Sequence, residues 1–153
     1  MADALHQIVY LSQAVAPLDA ADTAALAQAA AERNRLLGVT GLLLHDGARF
    51  IQALEGDPAA VRALMARIAR DPRHYAIAYI ADAPVTTRQF GDWAMDYHTL
   101  DDSDDDFVAE VKRALAGVDD AALLAAFIGF AVLGRSERRR GETRAATGLS
   151  PRV

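Results

Sequence analysis

The order of apolar patterning along roughly the first hundred residues constrains this chain more than any other feature, because it alternates between strand period and helix period in a fixed succession. Leu5 to Ser12 reads as a strand with Ile8, Tyr10 and Ser12 on one face and Val9 and Leu11 on the other. An alanine-rich stretch, Asp19 to Leu37, predicts a helix that Gly38 is placed to stop. Val39 to His45 and Arg49 to Glu55 are strands joined by the tight turn Asp46-Gly47-Ala48. Pro58 to Arg70 carries Val61, Leu64, Met65 and Ile68 at helical spacing and ends at Asp71-Pro72. Tyr75 to Ala81 and Trp93 to Thr99 supply two more strands. Strand, helix, strand, strand, helix, strand is the order of an α+β, ferredoxin-like βαββαβ sheet with two helices on one face, here with an added fifth strand.

Strand alternation within Phe50-Ile51-Gln52-Ala53-Leu54-Glu55-Gly56 puts the amide of Gln52 on the same face as Phe50 and Leu54. A half-buried amide needs partners for its carbonyl and its NH2 group, so another side chain or a ligand must meet it. In this topology the first strand lies between the two halves, which makes Tyr10 and Gln52 candidate neighbours. Asn34 on the first helix is a third polar residue on an element expected to be buried. A core tyrosine, a helix-end asparagine and a loop-bonded amide are each common without a ligand, and it is their coincidence that points to a site. Trp93 and Met95 share a strand face and read equally as core filling or as part of that site.

With 153 residues, 52 % of them hydrophobic, the chain can bury one core. No run approaches the roughly 18 apolar residues of a membrane span, and the amino terminus lacks a secretory layout, so the expected location is cytoplasmic. The absence of cysteine excludes disulfides, thiolate metal sites and cysteinyl adducts. The net charge of −5 divides unevenly: Leu133 to Val153 holds six arginines against Glu137 and Glu142, leaving −9 for the rest. An acidic body disfavours general nucleic-acid binding, and the basic tail, residues 134–153, is expected to be solvated and disordered.

Beyond residue 100, the run Asp101-Asp102-Ser103-Asp104-Asp105-Asp106 reads as a helix cap rather than a metal site, since no spaced ligands or loop glycine accompany it. Helices are expected near Asp105 to Ala116 and Asp119 to Leu133. The second is strongly apolar and must cover the helix-free face of the sheet or form a subunit interface. The domain division that follows is 1–100 for the sheet and its helices, 101–133 for a helical extension and 134–153 for the tail. No P-loop, G-x-G-x-x-G, H-E-x-x-H or G-x-S-x-G pattern is present, which leaves nucleotide-phosphate, metal and hydrolase chemistry without support.

Five segments, in order, resemble the BLUF family of blue-light sensors that bind flavin non-covalently: Ile8-Val9-Tyr10-Leu11-Ser12; Asn34 with Gly38-Val39-Thr40-Gly41-Leu42-Leu43; Phe50 to Gly56; Arg70-Asp71-Pro72-Arg73-His74; and Arg88-Gln89-Phe90-Gly91-Asp92-Trp93-Ala94-Met95. The resemblance implies a flavin between the two helices, FAD by family habit with FMN or riboflavin also open. It makes Tyr10 the electron donor to excited flavin, Gln52 the amide bridging that phenol to the ring, and Asn34 the partner of the ring's carbonyl edge. Arg73 and His74 would lie toward the ribityl and phosphate side, with Arg67 and Asp71 as polar neighbours of the cofactor, and Trp93 and Met95 on the strand beside the glutamine. Arg33 departs from the pattern, standing where many members carry asparagine or histidine.

The resemblance implies a photoreceptor rather than an enzyme, signalling through its carboxy-terminal helices to a separate protein or through its own homo-oligomer. No cyclase or phosphodiesterase fits in the residues after 100. Two other readings were open to the sequence. An acylphosphatase-like enzyme shares the topology but needs a cation in the loop Gln13-Ala14-Val15-Ala16-Pro17, which has none; a light-insensitive flavoprotein or ligand-free interaction module would leave the polar residues merely satisfied.

Overall fold

The computed structural model describes residues 4–16, 20–46, 48–90, 96–99, 109, 111–113 and 115–146. Five strands, β1 (Leu5–Ala14), β2 (Thr40–His45), β3 (Arg49–Gly56), β4 (His74–Val85) and β5 (Asp96–Thr99), form one sheet in the order β4-β1-β3-β2-β5. The first four pair antiparallel and β5 joins the edge parallel to β2, which is the ferredoxin-like sheet with its fifth strand. Helices α1 (Ala20–Leu37) and α2 (Pro58–Ala69) provide the crossovers.

Local chemistry fixes each junction. Gly38 ends α1 with φ 66°, donating to the Arg35 carbonyl at 3.3 Å while Val39 donates to that of Asn34 at 2.9 Å. This pair of bonds is a Schellman stop, and it sets Asn34 in the last turn of the helix. The Asp57 carboxylate accepts from the N–H groups of Ala59 and Ala60, and Pro58 fills the first helical position of α2, where a missing N–H costs nothing. In the β2–β3 turn, Asp46 accepts from the N–H groups of Ala48 and Arg49 and pairs with the Arg49 guanidinium at 2.8 Å. Gly41 lets β2 approach β3, for a Cβ there would lie 1.9 Å from the Ala53 carbonyl oxygen.

The two faces of the sheet bury different layers. Ile8, Tyr10 and Leu54 pack against Val61, Leu64 and Met65 of α2, as the alternation along β1 requires. Val9, Leu42, Leu44, Ile51 and Ala53 face the other way, against Leu123, Phe127, Phe130 and Ala131. These belong to the last helix, α3 (Ala121–Ala146), so the apolar carboxy-terminal segment covers the helix-free face. The guanidinium of Arg49 lies 4.9 Å from the centre of the Phe130 ring and adds a cation–π contact between β3 and α3.

Several boundaries differ from expectation. The final helix runs to Ala146, thirteen residues beyond Leu133, so 134–146 is helical where a disordered tail was expected. Arginine, glutamate and alanine are strong helix formers, and a helix nucleated by packing at Phe127 and Phe130 propagates into such a sequence at little cost. β4 continues to Val85 rather than Ala81, its Pro84 tolerated because an edge strand has one unpaired side. β5 is described from Asp96; Trp93 and Met95 lie outside the described residues, as does the acidic run at 101–106. Of the helix expected near Asp105 to Ala116, the described residues 109 and 111–113 are helical.

Candidate functional site

β1 and β3 pair in a register that sets Tyr10 directly opposite Gln52. Both side chains therefore project from the helix-bearing face, and the Tyr10 hydroxyl donates to Oε1 of Gln52 in a short buried hydrogen bond. Only 4 % of Tyr10 and 5 % of Gln52 is exposed. Burial pushes the phenol well above its ordinary pKa, with the negative groups of Asp71 and Tyr79 adding to the effect. Tyr10 thus keeps its proton at any neutral pH, directed at an amide oxygen.

This pair stands at the wall of a cavity of about 590 Å³ between α1 and α2. From α1 come Leu26, Ala30, Arg33 and Asn34, which share one helical face at spacings of four, three and one. From α2 come Leu64, Arg67 and Ile68, and from the sheet Leu43, Phe50 and Gln52. The α1 residues that meet the cavity span 26–34, half the length of the helix. Apolar walls from three elements with a few convergent polar groups, at this size, suit a drug-sized planar heterocycle.

The mouth is cationic. Arg33, Arg67, Arg70 and Arg73 all line it, against the single carboxylate of Asp71. Desolvation depresses the Arg33 pKa, and the neighbouring charges of Arg67 and Arg73 depress it further. Asp71 is committed to Arg73: the guanidinium donates from Nε at 2.9 Å, and the Arg73 N–H donates at 3.0 Å. These bonds, led by the side-chain pair, hold the Asp71 carboxyl down at about 2. With that carboxylate already engaged, the mouth attracts an anionic group.

His74 also lines the cavity. Its Nε2 meets the Ile68 carbonyl at 2.6 Å, which requires a proton on Nε2, and its Nδ1 meets the Ser12 hydroxyl at 2.7 Å. Both nitrogens are engaged by protein, and the ring lies 6.2 Å from Tyr10 and edge-on to Phe50 at 6.3 Å. It is an aromatic wall that also ties β1 to the end of α2. Tyr10, Asn34, Gln52, Arg67, Asp71, Arg73 and His74 are all brought to one cavity. Phe50, Arg70 and Arg33 complete it. Arg33 stands one residue before Asn34 and Phe50 shares the strand face of Gln52, so both carried a sequence signal; Arg70 joins the lining only where the end of α2 closes over the sheet.

Residues 5–96 match the family model described as BLUF, sensors of blue-light using FAD. The chain belongs to the BLUF family. Among curated relatives, the beta and alpha subunits of the photoactivated adenylate cyclase of Euglena gracilis are each 37 % identical over 93 residues, 60 % of this chain. The chain spans about a tenth of the length of those relatives, 11 % and 9 % respectively. Two solved BLUF structures are similar over nearly their whole length. The BLUF domain of BlrP1 matches at a TM-score of 0.69 and 32 % identity, covering 82 % of this chain and 90 % of that one. BlrB in its dark state matches at 0.64 and 29 %, covering 89 % and 99 %. BlrP1 of Klebsiella pneumoniae, solved with FMN and cyclic diGMP, matches at 0.70 and 31 % over 34 % of its length. A BLUF domain is a sensor module that uses flavin, and in the cyclases it is part of a much longer chain. No helix among the described residues is long and apolar enough to cross a membrane.

Proposed function

We propose that this BLUF protein is a blue-light receptor in which a non-covalently bound flavin nucleotide lies between α1 and α2, and light rewires the hydrogen bonds of Gln52. The observation that carries the reading is the buried bond from Tyr10 to the Gln52 carbonyl at the wall of a cavity able to hold the ring. The residues fit the group: Asn34 and Gln52 offer amides at the ring level, Leu43, Ile68 and Phe50 offer apolar walls, and the arginine-lined mouth suits phosphate. That mouth favours FAD or FMN over riboflavin.

Flavin, when bound, supplies the blue absorption and an electron acceptor. Tyr10 is a donor whose proton must leave with its electron, since its raised pKa blocks prior ionisation. The bond to Gln52 is the route for that proton. An amide with unlike ends can exchange donor and acceptor by rotation or tautomerisation without moving the backbone, leaving a changed hydrogen bond at the ring's carbonyl edge. Arg73, held by Asp71, and His74 would lie toward the ribityl and phosphate side, with Arg67 as a further polar neighbour of the cofactor. By the family resemblance, Trp93 and Met95 would complete the surroundings of Gln52. Signalling passes to a separate protein or a second copy of the chain through α3, which packs on the opposite face of the sheet from the site.

The test is the visible spectrum of purified protein in darkness and after blue illumination. A flavin band that moves red by roughly ten nanometres, as in the family, and recovers in the dark is expected; a flavin band unmoved by light would leave a redox flavoprotein, and protein that takes up no flavin would end the reading.

A further inference from the structure

The loop that precedes residues 91–95 is gripped from two sides. Glu55 lies three residues beyond Gln52 on β3, with its carboxylate fully buried, and it is met by backbone: Oε2 accepts from the N–H of Gln89 at 2.9 Å and Oε1 from that of Phe90 at 2.8 Å. Arg88 donates to the Thr40 hydroxyl at 2.8 Å and to the carbonyls of Glu55 and Gly38 at 3.2 and 2.9 Å. Residues 88–90 are thereby fixed to the start of β2, the end of β3 and the stop of α1.

The side chain of Gln89 extends this grip to the other layer. Its Oε1 accepts from the N–H of Asp119 at 3.0 Å and, more weakly, from that of Asp120 at 3.4 Å. Asp120 in turn caps α3, accepting from the N–H groups of Ala122 and Leu123 at 2.9 and 3.1 Å. The cap residue itself is thus held by Gln89, and the neighbouring Phe90 ring meets Phe127 of α3 at 6.2 Å. The residue type suits the task. An amide oxygen accepts from both N–H groups without placing a third negative charge beside Asp119 and Asp120, and a lysine or arginine there has no acceptor.

We propose that Gln89 is a positioning residue that couples the Gln52 strand to the start of α3, so that a displacement of β3 passes through Glu55 to the backbone of 89–90 and through the Gln89 amide to the helix cap. The proposal rests on the photoreceptor reading above. It is tested by hydrogen–deuterium exchange over residues 119–131 of FAD-loaded protein, dark and illuminated, with the flavin spectrum recorded on the same samples. In the unaltered protein, light is expected to change exchange at Asp119, Asp120 and the first turns of α3. Gln89→Met, of similar volume without an oxygen acceptor, raises dark exchange at Asp119 and Asp120 by roughly two- to twelve-fold, the span of one net hydrogen bond. It also abolishes the light–dark difference in α3, while the red shift persists. The coupling is overturned if the unaltered protein shifts red with no change over 119–131, or if Gln89→Met retains the full difference. Absence of the red shift in the unaltered protein would instead remove the photoreceptor reading itself, visible in the flavin band alone.

Discussion

Replacing Gln52 with leucine separates what the amide does for the photocycle from what it does for the fold. The change removes the acceptor of the Tyr10 hydroxyl, which is buried. Stranding a buried hydroxyl costs about 1–3 kcal/mol, partly offset because leucine is easily accommodated among Leu43, Phe50 and Leu64. At about 2–4 °C per kcal/mol for a chain of this size, the melting temperature of the variant should fall by about 2–10 °C. The cavity walls from α1 and α2 and its arginine mouth are untouched, so flavin should still be retained. The red shift should be lost, since neither end of an amide remains to exchange. Tyr10→Phe breaks the same bond from the other side, and the double variant should cost less than the sum of the two single losses, because the hydroxyl and the amide are one interaction. Absorbance before and after blue light, with thermal unfolding followed by circular dichroism, reads both effects. A normal shift in Gln52→Leu would refute the switching role, and additive losses in the double variant would refute the bond as a shared interaction.

Gly41→Ala should cost more than 3 kcal/mol or abolish folding, because its Cβ would fall 1.9 Å from the Ala53 carbonyl oxygen and the two central strands cannot separate without losing their ladder; denaturant unfolding measures it. Arg33→Ala should weaken FMN and FAD binding by about tenfold or more while leaving riboflavin affinity within about twofold, checked by fluorescence titration, since an arginine at the mouth acts on phosphate and not on the ring. The Asp71–Arg73 pair sets an acid limit. Asp71 is held at about 2 in the fold against an ordinary 3.8, so its stabilisation is complete above about pH 4 and is lost as pH falls through 2. Melting temperature against pH should therefore show a decline over that window that Asp71→Asn flattens, with no difference in slope near neutrality.

Much of this arrangement was legible before any coordinates. The alternation in β1 assigned Tyr10 and Val9 to opposite faces, and each indeed packs in a different layer. Gly38, the helix start at Pro58 and the Asp46 turn mark the junctions correctly because caps and tight turns depend on a few adjacent residues and little else. The family resemblance placed seven polar and aromatic residues at one cavity. The end of α3 is not legible in the sequence, since charge-rich sequence reads as solvated whether or not a packed helix feeds into it. The hydrogen bonds of His74 to Ser12 and Ile68 are not legible in the sequence, because partners 62 and 6 residues away leave no local signal.

The sequence by itself determined the succession of elements, the face on which each strand residue lies and the set of chemistries excluded by missing cysteines and motifs, because period, turn chemistry and composition are local properties. Tertiary structure alone decided the register that sets Tyr10 directly opposite Gln52, that four arginines converge on one cavity, and that Glu55 and Gln89 bind the site strand to the last helix. Those are matters of strand register and of contacts across 30 to 42 positions of chain, where a one-residue slip would exchange every partner while leaving the local patterns intact.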